Sequence, residues 1–264
     1  MKNKLIYQFI KLISFFPHSF LLSLISLLNY SVGKGFYHAG NKSVVNEIKS
    51  ISKLLKKKPK IIIDIGANIG NYTEESLKNF QSAKYYLFEP NAINYQILLN
   101  KFEKYKDIEI YNYALSNNKN NDAILYSNFE GSGYASLVQR NLNHRNIDMS
   151  KIKEKVKVIT LQEFLISKKL KKIDLCKIDV EGIELKVLQG AKEYINYIKI
   201  IQFEISSGQM EEKNYFKDFW FFFKKNNFDI YIITPSGPKK ILRYKERDEF
   251  FDETNYIAVN NSIQ

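Results

Sequence analysis

The chain has 264 residues, 45% of them apolar, a formal net charge of +12 and a single cysteine, Cys176. That size and apolar content suit one α/β domain with a full core plus an appendage, and one cysteine excludes an intrachain disulfide. The charge is uneven: residues 1–60 hold eleven lysines, no arginine and one acid, Glu47, a net +10 that leaves only +2 for everything after them.

At the front, Leu5, Ile6, Phe9, Ile10, Ile13 and Phe16 recur at helical spacing. Pro17 interrupts, and Ser19 is placed to cap a second helix running to about Tyr30. In that helix Ser19, Ser23, Ser26 and Tyr30 form one stripe, leaving a broad apolar surface of Phe20, Leu21, Leu24, Ile25, Leu27 and Leu28. The uncharged run between His18 and Lys34 is 15 residues, about 22 Å as helix against a hydrocarbon core of roughly 30 Å. A spanning helix is therefore not expected. A cleaved signal peptide would separate the protein from the cofactor argued for below. Residues 1–58 are thus taken as a basic amphipathic helical extension with two candidate roles. Its helices pack on the domain or form a homodimer interface, or they lie in an anionic membrane surface. The cysteine usage fits a reducing compartment, and the expected location is the cytoplasm, peripheral to the inner face of the membrane if the second role holds.

From Pro59 the pattern becomes strand–helix alternation. IIIDIG (61–66) is a β-branched run followed by a helix in NYTEESLKNF, and KYYLFEPN (84–91) is a second strand. Asn91 caps a helix with Ile93, Ile97, Leu98, Phe102 and Tyr105 on one side. IEIYNYALS (108–116) reads as the third strand, IDLCKIDVEG (173–182) as the fourth and IKIIQFEIS (198–206) as the fifth. An aromatic helix, YFKDFWFFFKK, follows, with Trp220 on its core side. FDIYIIT (228–234) and NYIAVN (255–260) complete seven strands. Apolar strands alternating with helices predict a mostly parallel sheet covered on both faces over residues 59–264. The last two strands are joined through PSGP with no strong helix between them, which predicts an antiparallel final strand. Residues 117–160 break the alternation and read as an inserted loop and hairpin.

Open sheets of this type bind ligands beyond the carboxyl ends of their strands. The segments at those ends are Asp64 to Gly70, Glu89 to Asn91, Ala114 to Ser116, Asp179 to Gly182 and Glu204 to Ser207. In DIGANIGNYT (64–73), Gly66 and Gly70 are four apart, which is not the dinucleotide fingerprint G-x-G-x-x-G and disfavours a nicotinamide oxidoreductase. The loop opens with an acid, Asp64, which is ill suited to a pyrophosphate. Glu89, closing the second strand, is placed to accept hydrogen bonds from ribose hydroxyls. An acid by the loop and another for a ribose fit S-adenosylmethionine (SAM), which has an amino-acid head, a sulfonium and no phosphate. A glycine is also what any tight strand–helix turn needs, so the weight rests on its combination with Glu89.

In order and spacing, DIGANIGNYT, FEPN, NYALSN (112–117), GSGYASL (131–137), VITLQEFL (158–165) and KIDVEGIELKVLQGA (177–191) resemble the FkbM family of SAM-dependent methyltransferases. The resemblance covers roughly residues 60–206, with a family-like tail to about 260, and leaves out residues 1–58. It implies a Rossmann-like class I methyltransferase fold and methyl transfer to a hydroxyl of a sugar or polyketide; a glycan acceptor is expected, and a surface polysaccharide or lipid-linked glycan becomes attractive if the membrane role of the extension holds. It also implies a cofactor site. Asp64, Gly66, Asn68 and Gly70 would line the methionine end, Glu89 the ribose, and Ala114 and Leu115 the adenine edge; Ala67, Pro90 and Asn91, beside them in the two turns, are further cofactor-binding candidates. Asp179 and Glu181 would face the transfer site.

Methyl transfer from a sulfonium is an in-line displacement, so the protein must align the acceptor oxygen and take its proton. Asp179 is the candidate base, with Glu181 or Glu204 orienting the acceptor. Alternatively, Asp179 and Glu204 ligate a Mg²⁺ that acidifies the hydroxyl. His144, in the insertion, competes as base because its pKa suits neutral pH, or is an exposed loop histidine. A nucleic-acid methyltransferase would share the fold and profit from the charge. However, the lysines precede the fold, arginine totals four, and KIDVEG stands where base aminomethylases carry an Asn/Asp-Pro-Pro-aromatic tetrapeptide. Transfer to another small molecule and a non-catalytic SAM-binding module are the remaining alternatives.

Overall fold

The computed structural model describes residues 2–35 and 42–263; residues 36–41, part of the expected extension, lie outside them. Helices α1 (Lys2–Ile13) and α2 (His18–Ser31) come first, bent by 113° across the break that holds Pro17. α3 (Lys42–Leu54) leads into β1 (Ile61–Ile65), α4 (Asn71–Asn79), β2 (Lys84–Phe88), α5 (Ala92–Phe102) and β3 (Ile108–Tyr111). The next segment carries β4 (Ala114–Leu115), β5 (Asn120–Ser127), β6 (Asn141–Leu142), β7 (Ile147–Asp148) and β8 (Ile152–Ile159). α6 (Leu161–Ser167), β9 (Ile173–Ile178), α7 (Glu184–Gln189), β10 (Ile198–Ile205), α8 (Gly208–Glu211) and α9 (Phe216–Lys225) follow. β11 (Phe228–Thr234), β12 (Gly237–Lys240) and β13 (Thr254–Asn260) end the chain.

The main sheet runs β12-β11-β13-β10-β9-β1-β2-β3. β1 pairs in parallel with β2 and β9, and β9 with β10, while β13 is antiparallel to both β10 and β11. This is the class I methyltransferase order, with the antiparallel final strand that the sequence predicts. The sheet has eight strands where seven are expected. The PSGP turn feeds a short edge strand, β12, paired antiparallel with β11, and GPKK carries no alternating pattern that would reveal it.

The expected strand over 108–116 is broken. Asn112 Nδ2 donates to the carbonyls of Glu89 and Pro90 (2.9 and 2.8 Å), which turns the chain out of the main sheet. β4 then joins a separate three-stranded sheet, β4-β8-β5, in which β5 and β8 are the antiparallel hairpin expected of the insertion. α6 starts on a reciprocal cap: Thr160 Oγ1 accepts from Glu163 N at 3.1 Å, and Glu163 Oε2 accepts from Thr160 N at 2.9 Å.

Helices cover both faces. One side packs Phe164, Leu188, Phe219 and Phe223 from α6, α7 and α9 onto Ile63, Cys176 and Phe203. The other packs Tyr72, Leu77, Leu98 and Phe102 from α4 and α5, together with Ile48 and Ile51 from α3, onto Ile62, Leu175 and Ile200. α3 therefore belongs to the core layer of the sheet, although the sequence reading placed it in the extension. Its lysines mask a two-residue apolar stripe that is wholly buried.

Candidate active site

A cavity opens beyond the carboxyl ends of β1, β2, β9 and β10, the place where open α/β sheets hold their ligands. Its first half comes from the turns after β1 and β2. Gly66 has φ +82°, and a Cβ there would lie 1.7 Å from the Asp179 carbonyl oxygen, so the β1 turn runs directly against the end of β9. Asn68 N and Asn91 N donate to the two oxygens of Glu89 (2.8 and 2.9 Å), fixing that carboxylate at the cavity wall. Burial pushes Glu89 up to about 7, against the downward pull of those two backbone donors. Each of its oxygens keeps a lone pair for a ligand hydroxyl. Tyr113, Ala114, Leu115 and Leu125 add an apolar wall.

Asn94, on α5, also lines this half and was not picked out from sequence. Its Nδ2 donates to Asn68 Oδ1 at 3.1 Å, while its own Oδ1 is buried without a partner. A buried acceptor left open on a cavity wall is what a bound hydroxyl or amine would satisfy. The visible signal was an asparagine one turn after the Asn91 cap, on the buried side of the helix.

The second half is acidic. Asp179, Glu181, Glu204 and Glu253 line it. Asp179 is 3.1 Å from Lys177 Nζ and keeps 30% of its side chain exposed. Burial by itself would lower the pKa of Lys177, but Asp179, Asp64 and Glu47 outweigh it and hold the ammonium charged. Glu181 meets Arg140 Nη1 at 2.5 Å. Burial raises the proton affinity of Glu181 and the guanidinium opposes that rise. Arg140 comes from the insertion, as do Ser132 to Leu137 on the cavity wall, and Ser136 Oγ donates to the Glu181 carbonyl at 2.9 Å. The inserted segment thus walls the site, a part the sequence reading left unassigned. The carboxyl of Glu204 is buried in this wall. Burial, then Asp179, Glu181 and Glu253, push it well above the usual carboxylate range. Under this rim Glu184 accepts from Val180 N and Gly182 N (2.9 and 3.1 Å) and braces the turn.

Several expected site residues stand elsewhere. Asp64 is fully buried below the cavity: Thr73 Oγ1 donates to it at 2.7 Å, and Lys177 Nζ is 3.7 Å away. Asp64 is opposite Lys177, and Lys177 opposite Gln202, in the β1–β9–β10 register, so a polar row crosses the sheet there. Ala67 packs into the core. Gly70 starts α4 with φ +81°, and a Cβ there would meet Phe102 at 2.6 Å, so it serves helix packing. Pro90 lines the cavity, whereas Asn91 caps α5 and donates from Nδ2 to Glu154 at 3.0 Å. His144 is exposed in a 3-10 turn, Asn143–Arg145, away from the cavity wall. Among the described residues no three His, Cys, Asp or Glu side chains converge as a metal centre requires, and the cation beside Asp179 is Lys177. Mg²⁺ ligation by Asp179 and Glu204 therefore finds no support.

No curated protein sequence matches the chain significantly. Solved structures similar to it include a precorrin-6y C5,15-methyltransferase from Geobacter metallireducens GS-15, 11% identical, covering 80% of this chain and 87% of that one, with a TM-score of 0.44. M. capricolum TrmK in complex with S-adenosyl-homocysteine is 15% identical over 81% of this chain and 67% of that one, TM-score 0.44. An rRNA methylase from Streptococcus thermophilus is 10% identical over 81% and 93%, TM-score 0.43. The model of the methyltransferase FkbM domain matches residues 64–230, well over half of the chain and the whole stretch from the β1 turn into β11. With that match, the strand order and the strand-end cavity in agreement, the chain belongs to the FkbM family of SAM-dependent methyltransferases.

Proposed function

We propose that the protein methylates a hydroxyl of a sugar or glycan, with Asp179 taking the proton and Glu204 orienting the acceptor. The supporting observation is that one cavity joins a half suited to a nucleoside, at Glu89 and Asn94, to a half rimmed by carboxyl groups, at Asp179 and Glu204. When bound, SAM supplies the methyl group on a sulfonium that leaves as a neutral thioether. Glu89 and Asn94 Oδ1 accept from the ribose hydroxyls, Ala114 and Leu115 flank the adenine, and the close Gly66–Asp179 backbone approach shapes the methionine end.

The acidic half suits a hydroxylated acceptor, because carboxyl groups accept O–H hydrogen bonds. Asp179 is fixed by Lys177 and partly open to the cavity. An alcohol becomes strongly acidic only as the new C–O bond forms, so a carboxylate suffices to take the proton late in transfer. Glu204, whose proton affinity burial raises, can donate to a neighbouring hydroxyl when protonated and accept from it in either state. The test is incubation with labelled SAM and a panel of sugar nucleotides and glycan extracts, followed by linkage analysis. Label in an O-methyl sugar is expected. Label entering RNA and no glycan would overturn the acceptor assignment.

A further inference from the structure

We infer that α1 and α2 anchor the protein in the surface of an anionic lipid bilayer, and that their attachment point turns the rim of the cavity toward that surface. The helices are rooted in the catalytic domain but not covered by it. α2 buries no residue at all. Leu5, Phe9, Phe15, Leu24, Leu27 and Leu28 are exposed by 42–77%, far more apolar surface than a soluble face tolerates. Packing against a second copy would need one stripe about 100° wide. On α2, Phe20, Leu22, Leu24, Ile25, Leu27 and Leu28 instead point to most sides of the helix, and only a serine stripe divides them. Those serines ask little of water: Ser23 Oγ and Ser26 Oγ donate to the carbonyls of Ser19 and Leu22, each at 3.0 Å. A surrounding apolar medium accommodates such a helix, and a flat protein interface does not.

Charge selects the kind of bilayer. No acid precedes Glu47, while Lys2, Lys4 and Lys11 lie along α1. Basic side chains flanking apolar helices favour anionic headgroups. Neither helix is long and apolar enough to cross a membrane, and the 113° bend between them suits insertion into one leaflet's surface.

The root decides what faces the bilayer. At Gly33, φ +94°, a Cβ would lie 2.2 Å from the Ile233 carbonyl oxygen, so the chain leaving α2 presses on the carboxyl end of β11. Lys34 Nζ donates to the Arg247 carbonyl at 2.6 Å, and Gly35 N to Thr254 Oγ1 at 3.0 Å. Thr254 opens β13 opposite Ile205, and its neighbour Glu253 lines the cavity. The anchor and the acceptor half of the cavity therefore share one rim of the sheet. Resting on the hydroxyl-transfer reading above, this narrows the acceptor to glycans carried on membrane lipids.

The test uses the full chain and vesicles of phosphatidylcholine with 30 mol% phosphatidylglycerol, against pure phosphatidylcholine. Flotation with the anionic vesicles is expected, with at least tenfold weaker partitioning for a Leu24→Asn, Leu27→Asn, Leu28→Asn variant, whose altered side chains touch no core. Equal partitioning of the two proteins, or a dimer that the triple variant dissociates without any flotation, overturns the anchor. Cys176 is buried, so an environment-sensitive dye can be placed at Met210→Cys, on the rim, or at Asp107→Cys, before β3 at the opposite end of the sheet. Brightening on anionic vesicles at 210 alone is expected; flotation with brightening at 107 alone, or at neither position, overturns the orientation. S-adenosylhomocysteine binding, measured by calorimetry on the same samples, separates the two readings: binding without flotation removes the anchor and leaves the methyltransferase, and flotation without binding does the reverse.

Discussion

Removing the charge of Lys177 should cost more than any other single change near the site. The Lys177 side chain is only 8% exposed, lies 3.1 Å from Asp179 and 3.7 Å from Asp64, and sits 4.9 Å above the Tyr72 ring. Lys177→Met keeps most of the volume but strands Asp64, which is fully buried and, among the described residues, accepts one further side-chain hydrogen bond, from Thr73. Breaking one side of a buried ion pair costs about 3–5 kcal/mol. At an m value of about 3 kcal/mol per molar urea, the unfolding midpoint should drop by about 1–2 M. The buried Trp220, the only tryptophan, supplies the fluorescence signal.

The defect must also depend on pH, with a fixed sign. Burial already raises the pKa of Asp64 while Lys177 pulls it back; without Lys177 it rises further. A carboxyl whose folded pKa is raised stabilises the fold at low pH and loses that contribution as pH climbs through the folded value. The variant should therefore be closer to wild type at pH 5.5 than at pH 8, and adding Asp64→Asn should recover part of the loss at pH 8. A loss below about 1 kcal/mol, or one equal at both pH values, would refute the ion-pair account.

Gly66→Ala puts a Cβ 1.7 Å from the Asp179 carbonyl at φ +82°, so S-adenosylhomocysteine binding by calorimetry should weaken at least tenfold; unchanged affinity would remove this cradle from the site. Asp179→Asn should lower turnover by about 10²–10⁴-fold, the usual range for a positioned base, with S-adenosylhomocysteine affinity within about tenfold. Retained turnover excludes Asp179 as the base. Glu204→Gln should flatten the pH dependence of thermal stability. In the wild type burial and neighbouring acids raise the folded pKa of Glu204, so stability falls as pH rises through that folded pKa, with Glu47, Glu89 and Glu184, each raised to about 7 by burial, adding to the slope. Melting curves from pH 5 to 9 check this, and an unaltered slope contradicts it. Arg140→Leu leaves the partly buried Glu181 without its guanidinium, which should cost up to about 3 kcal/mol and speed proteolysis within residues 117–160; an unchanged cleavage rate would show that the pair does not hold the insertion in place.

Much of this protein is legible without coordinates, because local chemistry decides it. β-branched runs such as IIIDI and IKIIQFEI suit the interior of a sheet covered on both faces, and the rule that ligands sit at strand ends picks out Gly66, Asn68, Glu89, Asp179 and Glu204, which all line the cavity. What it could not deliver was pairing at a distance. Whether Asp64 faces a ligand or a lysine depends on the β1–β9 register, which brings it opposite Lys177 from 113 positions later in the chain. The covering of one sheet face by α3, the open oxygen of Asn94 and the clasp of Arg140 on Glu181 likewise arise only when separate segments close on each other. Local sequence thus determined the elements and the end of the sheet where the cavity opens. Tertiary structure decided which carboxyl groups there are neutralised by a buried cation and which stay open to a ligand, since burial and charge pairing are properties of the assembled neighbourhood and not of a motif.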